Sequence, residues 1–241
     1  MRKSIAAALI AASAASAACS HDRDENPGPV VARAYQVGNF TELEAAGPFN
    51  VTVRTGARPS VQAKGNQSLI DKLVVEVDGN TLKIHPEKKN GWFGGWHGLR
   101  GKADIVVTVP QLRAASLAGS GGINIDKVQG DSFDGDIAGS GDLSIQSLDV
   151  GSLKVSIAGA GSVTGTGKAG SADYDIAGSG DVDAERIVVE DLKVSIAGSG
   201  NVRAHATRAA KVDIVGSGDV EVKGGAKCSV SKMGSGDVRC S

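Results

Sequence analysis

Aspartates and serines recur through the C-terminal half of this chain at intervals regular enough to suggest chemistry. Asp142, Asp181, Asp219 and Asp237 each follow a Gly-Ser-Gly triplet, while Asp136, Asp175 and Asp213 alternate with Ser116, Ser156, Ser195 and Ser231 three residues ahead of the corresponding first glycine. Three chemistries use patterns of this kind, and each fails on detail. A phosphate-cradling loop needs G-x-G-x-x-G between a strand and a helix; here the third glycine is missing and the pattern recurs seven times. Calcium-binding nonapeptide repeats need a nine-residue period, whereas this chain has half that density, with Gly122, Ser162 and Asn201 interrupting the acids. A glycan-cleaving groove needs clustered carboxylates beside basic or aromatic groups, and here the acids lie in even columns with almost no aromatics among them. The four histidines (His21, His85, His97, His205) lack metal-ligand spacing. No serine stands in a nucleophile-elbow context. The residues therefore predict no catalytic group, no cofactor and no metal site, and the acid and serine columns read as structural ladders.

The repeated phrase is the strongest signal in the chain. It reads LAGSGGI at Leu117, IAGSGDL at Ile137, IAGAGSV at Ile157, IAGSGDV at Ile176, IAGSGNV at Ile196, IVGSGDV at Ile214 and KMGSGDV at Lys232, with a period of 18 to 20 residues. A fixed period of this size means stacked supersecondary units. With the first glycine of each phrase as position zero, column −2 holds Leu117, Ile137, Ile157, Ile176, Ile196 and Ile214, then Lys232. Column +4 holds Ile123, Leu143, Val163, Val182, Val202, Val220 and Val238. Aliphatics at −4 and −2, and again at +4 and +6, alternate with the period of a strand, with the Gly-Ser-Gly as a corner between two strands. Val128, Leu148, Ile187 and Val189 supply a third, less regular side. The expected fold is all-β: a single-stranded parallel β-helix over residues 111–240, with equivalent positions stacked into ladders. In column +3, Ser162 and Asn201 separate carboxylates that would otherwise repel across adjacent rungs, leaving only Asp219 and Asp237 adjacent.

Residues 35–110 alternate without a clear repeat and read as N-terminal strands continuous with the solenoid. Phe49 to Val53, Leu73 to Val77, Thr81 to Ile84 and Ile105 to Val109 are strand patterns, the middle pair joined by a tight turn at Asp78-Gly79-Asn80. The glycine-flanked segment 90–98 carries both tryptophans. Trp92, Phe93 and Trp96 either plug an open part of the core or offer a contact to a partner, glycan or lipid interface. In the last coil Lys232 replaces the inward isoleucine and blunts an open strand edge. Cys228 and Cys240 fall at −6 and +6 of that coil, where a disulfide clasp is expected in an oxidising compartment and two free thiols are the alternative.

The first 18 residues read as a secretory signal, with Arg2 and Lys3 ahead of a short apolar run. Ser16-Ala17-Ala18-Cys19 resembles a lipobox, which would place a lipid anchor on Cys19; ordinary cleavage at Ala15-Ser16-Ala17 is the alternative. Residues 19–34 have the polar, proline-containing composition of a tether. An exported protein of the periplasm or outer membrane is expected, touching the membrane through its anchor. A formal net charge of −1 provides no field for a polyanion, so nucleic acid is not an expected partner. Aromatics make up 3% of the chain, so the core must be aliphatic.

The strands ending in Val109-Pro110-Gln111-Leu112, followed by serial (S/D)-I-A-G-S-G-D-V units, resemble the auto-transporter adhesin head GIN domain family across about residues 35 to 240. The resemblance implies a right-handed parallel β-helix in the cell envelope and brings no catalytic or binding residues with it. Export, the repeat and the absence of a site point to a non-enzymatic envelope protein, an adhesin or interaction scaffold whose partner is an envelope protein or glycan. A polysaccharide-binding or polysaccharide-cleaving β-helix is the rival reading, and an envelope signalling protein the third.

Overall fold

A computed structural model describes residues 28–56, 58–87 and 103–241. Strand β1 (Val30–Tyr35) comes first, then β2 (Glu42–Ala46), β3 (Asn50–Thr55) and β4 (Ser60–Asn66). A single helical turn, α1 (Gln67–Ile70), leads into the hairpin of β5 (Leu73–Asp78) and β6 (Thr81–Pro86). Next come β7 (Ala103–Val109), β8 (Ala114–Gly119) and β9 (Gly122–Ile125). The long coils are β10 (Val128–Gly139), β11 (Asp142–Gly159), β12 (Ser162–Gly178), β13 (Asp181–Gly198) and β14 (Asn201–Gly216). The chain closes with β15 (Val220–Lys223), β16 (Lys227–Gly234) and β17 (Val238–Cys240). The seventeen strands of the described residues belong to one continuous hydrogen-bonded sheet wound into a solenoid.

The expected columns stack as ladders. Leu117, Ile137, Ile157, Ile176, Ile196 and Ile214 lie in register on consecutive parallel strands, and each is buried. Val163, Val182, Val202 and Val220 form the matching ladder beyond the corner. At roughly 1.5–3 kcal/mol for each fully buried aliphatic side chain, these columns are the main source of cohesion. The first glycine of every corner has φ between +122° and +140°. Rung-to-rung bonds continue through the corners, as where the Ser140 and Asp142 amides donate to the Gly119 and Gly121 carbonyls at 2.9 and 3.1 Å. The shorter 18-residue coil loses a net two residues through two adjacent register shifts: three residues separate Ala184 from Val188 where none separates Ala204 from His205, and one separates Val189 from Asp191 where two separate Ala206 from Ala209. Length therefore varies where the second side meets the third, and the corner keeps its register. Tyr174 takes a core position between Val155 and Val194, and burial pushes its phenol up, so it stays neutral.

The N-terminal strands add rungs in an order the chain does not follow. Strands β2 and β3 pair in parallel with β6 and β7 on one side and with β8 and β9 on the other. The segment Ala45-Ala46-Gly47-Pro48-Phe49-Asn50-Val51 is thus an eighth corner, with Gly47 at φ +137° and its amide donating to the Ala118 carbonyl at 2.9 Å. Strands β5, β4 and β1 close this end by antiparallel pairing. Residues 30–34, expected as tether, instead belong to β1, which pairs with β4 along its whole length. The reason is physical: a polar tether composition stops at Pro29, and Val30 and Val31 are good strand formers beside an edge that needs covering.

At the far end the Lys232 ammonium donates to the Gly236 carbonyl at 2.8 Å. Cys228 and Cys240 are joined, their Cα atoms 6.6 Å apart. Most of β16 is exposed, so the bond carries much of this coil's order. We expect a Cys228→Ser/Cys240→Ser variant to lose about 2–3 kcal/mol of local stability. Backbone pairing joins each of these coils only to its neighbours, so amide exchange should accelerate across 227–240 and stay unchanged across 142–198. Uniform acceleration over the whole solenoid would contradict this.

Candidate docking groove

Two columns show the same alternation of serine or asparagine with aspartate, and the fold treats them differently. Column +3 starts the strand just after the corner. There the Ser162 hydroxyl donates to Asp142 at 2.5 Å and the Asn201 amide group to Asp181 at 2.9 Å. The backbone amide of Asp237 donates to the Asp219 carboxylate at 2.9 Å. Column +3 is a self-satisfied ladder, as its composition suggests. Column −3 lies on the face before the corner, where the strand ladder already uses the neighbouring backbone amides. Among the described residues, Asp136 and Asp175 make no side-chain hydrogen bond or ion pair there, nor do the hydroxyls of Ser116, Ser156 and Ser195. Asp213 lies 3.3 Å from Lys211.

Beside this open column runs a second one, at position −1, which the aliphatic periodicity does not mark. It holds Ala46, Ala118, Ala138, Ala158, Ala177 and Ala197, then Val215 and Met233. These residues point outward. The alanine methyls and the open −3 column line a shallow groove of about 810 Å³ that runs along the solenoid axis, across the strands. The signal lies in the phrase itself, where Ala precedes the first glycine five times in seven. Groove sites of 300–1,000 Å³, mostly apolar with a few placed polar groups, are the usual form of a ligand site. The floor rises at one end, where Val215 and Met233 are 59% and 73% exposed.

Cys19, Trp92, Phe93 and Trp96 lie outside the described residues, as do His21 and His97. His85 sits 3.5 Å from Glu76, and His205 packs against Gly224, so the groove holds neither. Among the described residues no three His, Cys, Asp or Glu side chains are grouped to hold a metal ion. Two carboxyls among them are shifted, and in the direction of surface ion pairs. The hydrogen bond from Lys83 lowers Asp78, and that from Lys223 lowers Glu185. Neither carboxyl faces the groove, and a depressed carboxyl is the opposite of the raised one a general acid needs.

Solved structures resemble this chain over most of their length. A Bacteroides fragilis protein described as a putative adhesin is 26% identical, with a TM-score of 0.77 over 88% of this chain and 97% of its own. A Parabacteroides distasonis protein described as a putative lipid binding protein is 27% identical, with a TM-score of 0.71 over 89% and 97%. A Parabacteroides merdae protein at 20% identity shares the fold, with a TM-score of 0.64. No curated protein matches the chain. The family described as "Putative auto-transporter adhesin, head GIN domain" matches residues 39–226, and the chain belongs to it.

Proposed function

We propose that this protein is a non-enzymatic cell-envelope solenoid that binds its partner along the alanine-floored groove. The carrying observation is a groove of about 810 Å³ lined by outward methyls on one side and, on the other, by Ser116, Ser156, Ser195, Asp136 and Asp175, whose side chains have no partner among the described residues. Family membership and the adhesin description of a relative support a binding role outside the cytoplasm. The signal-like first 18 residues support export, and Cys19 is the proposed lipid anchor that holds the solenoid at the envelope. Among the described residues no helix is long and apolar enough to cross a membrane. A rigid solenoid needs little ordering on binding, which limits the entropic cost of association. A second reading follows from the lipid-binding description of one relative: the methyl floor would also accept an acyl chain.

Filling the groove tests the first reading. Ala158→Gln with Ala177→Gln places two longer, uncharged side chains on the exposed floor, away from the core ladder. We expect the fold to survive, with unchanged circular dichroism, and retention on isolated bacterial envelopes to fall about tenfold, the loss expected when one well-placed contact region worth about 1.4 kcal/mol is blocked. Unchanged retention would remove the groove from the function. Turnover of an envelope glycan, abolished by changing one or two acids, would overturn the non-enzymatic reading.

A further inference from the structure

Resting on the groove as the binding face, we propose that its ligand is a cationic β-1,4-linked amino-sugar polymer lying along the solenoid axis, with its free amines on Asp136 and Asp175. Charge is the first reason. The Ser/Asp alternation occurs twice in the fold; in column +3 it is consumed by hydrogen bonds between rungs, and in column −3 it is not. Among the described residues, Asp136 and Asp175 have no cation or donor of their own. The nearest lysine row leaves these two open: Lys193 binds Asp173 at 3.1 Å and feels Asp175 only at longer range, while Lys211 takes Asp213 at 3.3 Å. One lip of an apolar groove thus carries open negative charge that a positively charged ligand would meet.

Spacing is the second reason. Asp136 and Asp175 stand on β10 and β12, two rungs apart, or about 9.6 Å at the usual interstrand distance. A β-1,4-linked pyranose chain is an extended ribbon whose successive rings alternate in orientation. Each disaccharide therefore returns the same substituent to the same side after an advance close to two rungs. Amines on alternate sugars would meet the two aspartates, while neighbouring rings meet Ser156 and Ser195, whose hydroxyls both donate and accept. Single methyl groups let the C–H face of the ribbon come close to the sheet.

The same geometry disfavours a peptide. The groove crosses the strands, so it has no free backbone edge for strand addition. A floor one methyl deep has no pocket for a large anchoring side chain. Length is limited as well: from Ala46 to Ala197 the floor is alanine, about 24 Å at one rung per step, and Val215 then raises it. Affinity should climb with oligomer length to roughly five or six sugars and then level off.

The test uses the full chain and a fluorescent β-1,4-linked glucosamine hexamer, at low salt and at a pH where its amines are charged. Saturable binding is expected, weakened about tenfold or more by Asp136→Asn with Asp175→Asn. Raising ionic strength to about 0.15 M, where the screening length is about 8 Å, should weaken it further. The fully N-acetylated hexamer, the β-1,6-linked isomer and a lysine hexamer should all bind at least tenfold more weakly. No saturable binding, or equal binding by the double Asn variant, overturns the proposal. Equal binding of the β-1,6 isomer or the lysine hexamer reduces the site to an acidic lip and also overturns it. Tighter binding of a basic amphipathic peptide would overturn it too, and assign the groove to a protein partner. If the hexamer fails while Ala158→Gln/Ala177→Gln still reduces envelope retention, the ligand class falls and the groove stands.

Discussion

Gly198→Ala is expected to destabilise the solenoid by at least about 3 kcal/mol, more than an ordinary surface substitution by several-fold. Two effects act together. Gly198 has φ +140°, a conformation L-residues rarely adopt. A Cβ built there would also lie 2.1 Å from the carbonyl oxygen of Gly178 and 2.9 Å from its carbon. Those are backbone atoms of the adjacent rung, so relief requires moving a whole coil out of register. Gly38 provides the control, since it has no positive φ and a methyl added there would meet nothing within 4 Å; Gly38→Ala should change stability by no more than about 0.5 kcal/mol. Urea titration of the two variants measures the difference directly. If Gly198→Ala keeps the parent midpoint, the close rung-to-rung approach at the corner is wrong.

The second large effect is expected at Ile176→Ala, at about 3–4 kcal/mol. Ile176 is 3% exposed and stacks between Ile157 and Ile196. Its Cγ2 would lie only 2.8 Å from a Cβ placed on Gly200. The same contact joins Ile137 to Gly161 and Ile157 to Gly180, so the isoleucine of one coil fills the space that the second corner glycine of the next leaves free. Truncating Ile176 leaves that space empty. Restoring volume by Gly200→Ala should not rescue it, because the new Cβ would also approach the Gly180 carbonyl oxygen at 2.3 Å. Thermal unfolding of the single and double variants checks both statements. A double variant as stable as the parent would show that the corner can shift, and that its packing is looser than the ladder implies.

Both predictions concern features that are legible in the primary structure. Glycine at zero and aliphatics at −2 and +4 recur at a nearly fixed period, and a chain that repeats itself at that interval has few ways to bury its apolar positions other than by stacking them. The solenoid, its corners and its two aliphatic ladders follow from local pattern alone. The self-bonded column +3 follows too, because alternation of Ser or Asn with Asp resolves the repulsion between stacked carboxylates.

The rest required the tertiary structure. The corner at Gly47 has Pro48 and Phe49 where the others have Ser-Gly or Ala-Gly, so nothing local marks it, and only pairing with β6 and β8 gives it its place. That pairing inserts an early coil between two later ones, an order decided by which strand edge is available rather than by chain sequence. β1 likewise exists because an edge at β4 accepts it. Columns −3 and +3 both alternate aspartate with a small polar residue over most of their length, and what separates their roles is hydrogen-bond supply. Just after a corner, a neighbouring coil's amides and side chains reach the carboxylates; on the flat face before it, the backbone ladder has already taken them. Alanine's regular recurrence at −1 is readable from the first line of the repeat. That its methyls form the open floor of a groove beside unspent carboxylates depends on how the coils stack, and there the sequence by itself stops.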